Sequence, residues 1–428
     1  MKYSLVLAGL AATAYAIPKH HTKSTKIKTT KQHKTTTTSK IATTTSVASS
    51  TIPITVVAPA SSSASTSASP SASPSAAPAP SGCVVTDFAA IPAAVANCTS
   101  ITLKDIHAPS NQTIDLQKLL PHTTVTFAGT TTFDFTNISS FDPIVISGTD
   151  ITVTAEPDAL LDGNGPIYWD GIGSNGGVPK PNHFIVLKKI NGGVVKDLKI
   201  KNWPVHLFSI SGCNNVDMFD LYLDNTDGNA PNNRSKGLPA AHNSDGFDLS
   251  SSTNFTIRDS VVLNQDDCVA VTSGDNVKVD NMYCDGGHGL SIGSVGGKSN
   301  NNVTNISFTN SVVLNSENGP RIKTNSNTTG FISDITYRNI TVSNISIYGI
   351  DVQQDYLNGG PTGSPTNGVI IQNVLFEDIK GTANEDGKNY YVLCGEGSCS
   401  NIKFVNVDIT SGGKPSSCNL PADECPVI

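Results

Sequence analysis

Acidic residues are missing from the first 86 positions of this 428-residue chain; Asp87 is the first. Eight lysines, by contrast, fall within the first 40 positions: Lys2, Lys19, Lys23, Lys26, Lys28, Lys31, Lys34 and Lys40. Setting those eight aside leaves 20 of the 28 basic residues against 35 acidic ones, so the remainder carries −15. A body this acidic excludes nucleic acid and anionic membrane as partners, because phosphate contacts need a basic face. No run of 18 or more apolar residues occurs, so no membrane-spanning helix is expected in the mature chain. Stretches with the 3.6-residue period of an amphipathic helix are also missing between the strand-like segments, which argues against a helical α/β fold.

What is present points to secretion. Lys2 supplies a charged start, an apolar segment follows, and Ala14-Tyr15-Ala16 has the small-x-small form of a cleavage site. A signal peptide is expected over 1–16. Residues 17–82 are mostly Thr, Ser, Ala, Pro and Lys, a composition that cannot bury enough apolar surface to offset chain entropy. They are expected to be a disordered, O-glycosylated spacer, in which His20, His21 and His33 are solvated tail residues. Nine cysteines and ten Asn-x-Ser/Thr sequons fit an oxidising compartment. The sequons are Asn97, Asn111, Asn137, Asn233, Asn254, Asn302, Asn305, Asn327, Asn339 and Asn344, of which only a subset is expected to carry glycan.

Residues 83–428 repeat themselves. The pattern apolar-x-apolar-x-Asn/Asp-apolar-x-apolar recurs at 216–223, 255–262, 277–284, 306–313, 335–342, 374–381 and 402–409. Its steps are 39, 22, 29, 29, 39 and 28. Alternation with period two inside each copy predicts strands, and the fifth-position Asn or Asp turns the chain between two of them. Repeats of this length made only of strands and turns describe a parallel β-solenoid, one coil per copy. A β-sandwich would not return the same Asn/Asp position seven times. The two longest steps imply inserted loops, one of them at 225–241.

The polar clusters fall on the same ruler. They are Asn243-Ser244-Asp245-Gly246-Phe247-Asp248, Gln265-Asp266-Asp267-Cys268, Gly287-His288-Gly289 and Arg321-Ile322-Lys323. The interval from Asp245 to Asp266 equals that from Asp267 to His288, and both nearly match the local coil from Phe255 to Val277. Stacked coils lie about 4.7–4.9 Å apart, so three carboxylates and an imidazole should share one outer face, with Arg321 and Lys323 one long coil beyond His288. Carboxylates this close repel and raise at least one pKa, which suits glycoside hydrolysis by one acid and one base. Two cations two residues apart project from one face of a strand, and in so acidic a body they suit a polyanionic substrate. No His/Cys/Asp set has closed metal-ligand spacing, so neither metal nor cofactor is expected.

In this order the four clusters resemble the signatures of fungal endopolygalacturonases, glycoside hydrolase family 28. Asp162-Gly163-Asn164-Gly165, Tyr168-Trp169-Asp170-Gly171 and Lys180-Pro181 are similar to that family's segment ahead of the site. The resemblance implies a right-handed parallel β-helix and inverting hydrolysis of α-1,4 linkages in de-esterified pectin by a secreted monomer. It implies Asp266 as general acid, Asp245 and Asp267 as the residues that position and deprotonate water, and His288 as a partner of the acid. It assigns Asn243, Arg321, Lys323 and Tyr356 to substrate binding. Ser244 departs from the family, which usually shows Thr there. Asn225-Thr226-Asp227-Gly228 matches the usual first motif more literally, but Asp227 lies too far ahead of Asp266 to be one local coil away, so Asp245 is preferred. Proximity pairs the cysteines as Cys83–Cys98, Cys268–Cys284, Cys394–Cys399 and Cys418–Cys425; eight cysteines allow about 105 connectivities, and the resemblance implies the same four. Cys213, left over, is expected to be a buried apolar residue. Another β-helix enzyme, such as a calcium-dependent pectate lyase or an exo-acting or rhamnogalacturonan-cleaving relative, and a stalked, non-catalytic β-helix adhesin are the competing readings.

Overall fold

The computed structural model describes residues 82–357 and 361–427. The expected signal peptide and all but the last residue of the expected spacer lie outside them. A short helix, α1 (Ile91–Asn97), follows the first strand, Cys83–Val85, of a stack that forms a 17-stranded and an 11-stranded sheet. Every strand pair within them is parallel, coil upon coil, so the molecule is a parallel β-helix. In the larger sheet Val216 pairs with Phe255, then Val277, Ile306, Ile335, Val374 and Ile402. The register thus steps with the sequence repeat, copy for copy.

The turn residue explains why the repeat works. Asp220, Asp259, Asn281, Asn310, Asn339, Asp378 and Asn406, the seven fifth-position residues, all have φ between 49° and 56°. Asn and Asp tolerate this left-handed conformation better than other residues with a Cβ. Their side chains also bond from coil to coil: the Asn281 amide donates to Asp259 at 2.7 Å and the Asn339 amide to Asn310 at 2.8 Å. Inside, the apolar positions stack. The rings of Phe308, Tyr337, Phe376 and Phe404 lie nearly parallel at centroid spacings of 4.7, 5.1 and 5.1 Å, close to the strand spacing.

The repeat also extends further toward the N-terminus than its sequence pattern does. Gly193 pairs with both Val216 and Ile151, which adds coils before 216. All four expected disulfides form, and Cys213 is free and buried.

Candidate active site

Six strands of the smaller sheet carry the site: β1 (Phe208–Ser211), β2 (Phe247–Ser250), β3 (Val269–Val271), β4 (Leu290–Val295), β5 (Pro320–Asn325) and β6 (Tyr348–Tyr356). Phe208, Phe247, Val269 and Leu290 are register partners. Two residues ahead of each stand His206, Asp245, Asp267 and His288, one above another where the chain enters the sheet. Asp266 lies one residue off this column, its carbonyl accepting from the His288 N–H at 2.8 Å.

This corrects two readings of the spacing. Phe247 pairs with Val269, so Asp245 stands opposite Asp267 and not Asp266. Leu290 pairs with Pro320, a shorter step than the one from His288 to Arg321, so Arg321 pairs with Ser291 and stands further along the strand than His288. The long side chains of Arg321 and Lys323 still reach the acids. Lys323 Nζ donates to Asp267 Oδ2 at 2.7 Å, and Arg321 bonds Asp351 at 3.1 Å while standing 3.9 Å from Asp267.

The result is an open cleft of about 540 Å³ that brings all the expected site residues together: Asn243, Asp245, Asp266, Asp267, His288, Arg321, Lys323 and Tyr356 line it. Carboxylate oxygens of Asp245, Asp266 and Asp267 fall within 4.8 Å of one another. Each carboxylate faces its own cation: His206 Nδ1 is 2.9 Å from Asp245, His288 Nδ1 is 3.0 Å from Asp266, and Lys323 serves Asp267. The Tyr356 ring lies 5.7 Å from the Arg321 guanidinium and 5.3 Å from the Lys323 ammonium. The flanking glycines of Gly287-His288-Gly289 make this packing possible. A Cβ at Gly287 would meet the Asp266 carbonyl at 2.3 Å, and Gly289 has φ +101°.

The profile of glycosyl hydrolases family 28 matches residues 98–426. The chain belongs to that family. A probable endopolygalacturonase D of Neosartorya fischeri is 60% identical over 343 residues, 80% of this chain and 72% of that protein. A polygalacturonase of Fusarium fujikuroi is 53% identical over 346 residues, covering 80% of this chain and 93% of its own. The structure of endopolygalacturonase I from Stereum purpureum, complexed with two galacturonates, superposes with a TM-score of 0.69 at 31% identity, over 78% of this chain and 96% of that one.

The family 28 segment ahead of the site acts as a brace. A buried ion pair, Lys180 to Asp170 at 2.9 Å, ties down the loop that carries Ser174 and Asn175. Both residues donate to the Asn243 amide oxygen, whose nitrogen in turn donates to Asp266 at 3.2 Å. Asn243 therefore orients the acid as well as lining the cleft. Ser244, where the family usually shows Thr, keeps the hydroxyl: it donates to Gln265 at 2.8 Å and accepts from the Gln265 N–H at 2.9 Å. Asp227 lies exposed on a 3-10 turn, Thr226–Asn229, and is not among the residues that line the cleft.

Charge is shared unevenly among the three acids. Burial, then the charges of Asp266 and Asp248, push the Asp245 carboxyl up to about 8, against the pull of His206. Burial would also raise Asp266, but the imidazolium of His288 and the Lys323 charge outweigh it and hold Asp266 ionised. His288, which burial alone would lower, is raised to about 9 chiefly by Asp266. His206 is raised well above 6.5 in the same way by Asp245 and Asp248. Sequence spacing shows no metal-ligand set, yet the fold brings ligating atoms of His206, Asp245 and Asp248, and those of the three acids, within 4.8 Å. Cations of the chain itself already face these groups.

Sequence reasoning missed His206 and Glu317 as members of the site and quoted Asp248 in the first cluster without giving it a role. Glu317 stands 3.4 Å from His288 Nε2. The signal for His206 was available: the step from Val216 to Phe255, counted back from Asp245, lands on it.

Proposed function

We propose that this family 28 enzyme is a secreted, endo-acting hydrolase of α-1,4-galacturonosyl linkages in de-esterified pectin, working with inversion. The observation that carries the substrate is the pair of buried cations, Arg321 and Lys323, held under Tyr356 beside the acids of a strongly acidic protein. Arg offers a planar fork and Lys a point charge to a uronate carboxylate.

In the proposed step Asp266 gives its proton to the glycosidic oxygen as the C1–O bond breaks. Asp245 and Asp267 orient a water and take its proton as its oxygen attacks C1 from the opposite face. Burial and the neighbouring charges set the opposite order before the step, raising Asp245 to about 8 and lowering Asp266. Before the step Asp266 therefore takes a proton, which His288, 3.0 Å from its Oδ1, is placed to give up, and Asp245 releases its own to solvent so that it can accept one from the water. That resting protonation favours a second assignment, with Asp245 as acid and Asp266 as base.

Two measurements test this. Incubation with polygalacturonate should release a ladder of oligomers with a rapid fall in viscosity and no ultraviolet-absorbing product; monomer alone, or an unsaturated product, would refute the endo-hydrolase. An oligogalacturonosyl fluoride needs no acid to release its leaving group. Asp266→Asn should therefore keep much more activity on it than on the polymer, while Asp245→Asn should be dead on both. The opposite pattern would establish the second assignment.

A further inference from the structure

His206 is outside the four motifs, yet it occupies the first rung of the catalytic column. It stands directly below Asp245, one coil back: its N–H donates to the Asn243 carbonyl at 2.8 Å, and the next N–H, of Leu207, donates to the Asp245 carbonyl at 2.8 Å. Its Nδ1 is 2.9 Å from Asp245 Oδ1 and 3.2 Å from Asp248 Oδ2, and the ring lines the cleft. Among the described residues Asp245 Oδ1 has no hydrogen-bond donor besides this ion-pair contact. The other two acids have fuller shells. Asp266 accepts from the Asp267 N–H and the Asn243 amide as well as facing His288, and Asp267 accepts from Ser291 and Lys323.

We propose that His206 is a positioning residue for Asp245: its imidazolium bridges Asp245 and Asp248, aims the Asp245 carboxylate into the cleft and supplies the counter-charge that lets it ionise. The proposal rests on the reading of Asp245 as part of the base. Without that charge Asp245 would face Asp248 from its own strand and Asp266 from the next coil, two carboxylates and no cation. His183 also packs against His206, its ring 5.8 Å away and its Nδ1 engaged 3.6 Å from Asp142, and Lys180, which lines the neighbouring pocket with both, is held by Asp170 at 2.9 Å. Lys298, which interacts with Asp248, is tied by its Nζ to the Ser294 carbonyl at 2.8 Å.

The test is the pH profile of kcat/KM on polygalacturonate. His206→Asn keeps a neutral donor near the position of Nδ1 and removes the charge. Its acid limb should move to higher pH by roughly 1–3 units, the usual effect of an opposite charge on a nearby carboxyl. His206→Lys should bring the limb back toward the wild-type position. Asp248→Asn, which removes a like charge, should move it the other way and carries the test if His206→Asn does not fold. A purely structural His206 would lower kcat/KM at every pH and leave the limb in place. Both limbs unmoved in His206→Asn, or in Asp248→Asn, would overturn the proposal. Displacement of the alkaline limb alone would keep His206 as the residue that sets Asp245 but would make Asp245 the acid. An active Asp245→Asn would overturn both readings together.

Discussion

Asp245 is held in a place that suits its chemistry and not the fold. It is only 6% exposed, and its carboxyl is pushed up to about 8 from the ordinary 3.8. Between those two values the folded chain binds a proton that the unfolded chain has lost, so this group makes stability fall as pH rises from about 4 to 8. A difference of four units at about 1.4 kcal/mol each bounds the loss at about 5–6 kcal/mol. His206, raised well above 6.5 by Asp245 and Asp248, adds to the fall: its contribution is complete below 6.5 and is lost as pH rises through its folded value. Asp245→Asn removes the ionisation and keeps the shape. It should raise the melting temperature by ~2 °C or less at pH 4.5 and by up to ~10 °C at pH 8, taking about 2 °C per kcal/mol for a body of this size. Thermal unfolding of both proteins by circular dichroism, with the disulfides kept oxidised, reads this directly. The same variant should be inactive, so stability and activity would trade at one residue. A shift that is equal at the two pH values, or a variant less stable than wild type at pH 8, would refute the account of Asp245.

Asp227→Asn should keep kcat/KM near wild type while Asp266→Asn loses roughly 10²–10⁴-fold on the polymer, the usual worth of general acid catalysis. Activity should survive prolonged treatment with EDTA; loss that calcium restores would place the protein among the lyases. Lys323→Met strips a buried carboxylate of its cation, so kcat should fall along with binding. Its preference for de-esterified over highly esterified pectin should shrink by about tenfold or more, since one charge-assisted hydrogen bond contributes about 1.5–3 kcal/mol; an unchanged preference would mean Lys323 does not read the carboxylate. Among the sequons, the side-chain amides of Asn97, Asn254, Asn305, Asn339 and Asn344 donate within the fold. Peptide mapping should therefore find glycan among the exposed Asn111, Asn137, Asn233, Asn302 and Asn327, and little on the first five.

The coils from 216 onward were legible because each turn needs a residue that tolerates a left-handed backbone. The earlier coils break that signal. Ala155 stands where Asp220 stands two coils later, and Gly193 opens a coil where Val216 opens the next. The pairing persists there because neighbouring strands and the stacked interior impose it, not because the local sequence asks for it. The site was legible as a set and illegible in its alignment. Counting residues located all the expected acids, but loops between the sheets differ in length from coil to coil. Spacing alone therefore could not choose between Asp266 and Asp267 as the neighbour of Asp245, nor between His288 and Ser291 as that of Arg321. Arg321 reaches the acids only through the length of its side chain, which no spacing rule contains. The deeper gap concerns the proton. Asp245, Asp266 and Asp267 are chemically identical in sequence, and what separates them is the cation each one faces. Those cations come from His206, one coil before Asp245, from His288, one coil after Asp266, and from Lys323, two coils after Asp267. An acid and a base are thus made from the same residue type by partners on other coils. That is why the choice between Asp266 and Asp245 as proton donor turns on the fold and on the two variants carried to the fluoride substrate.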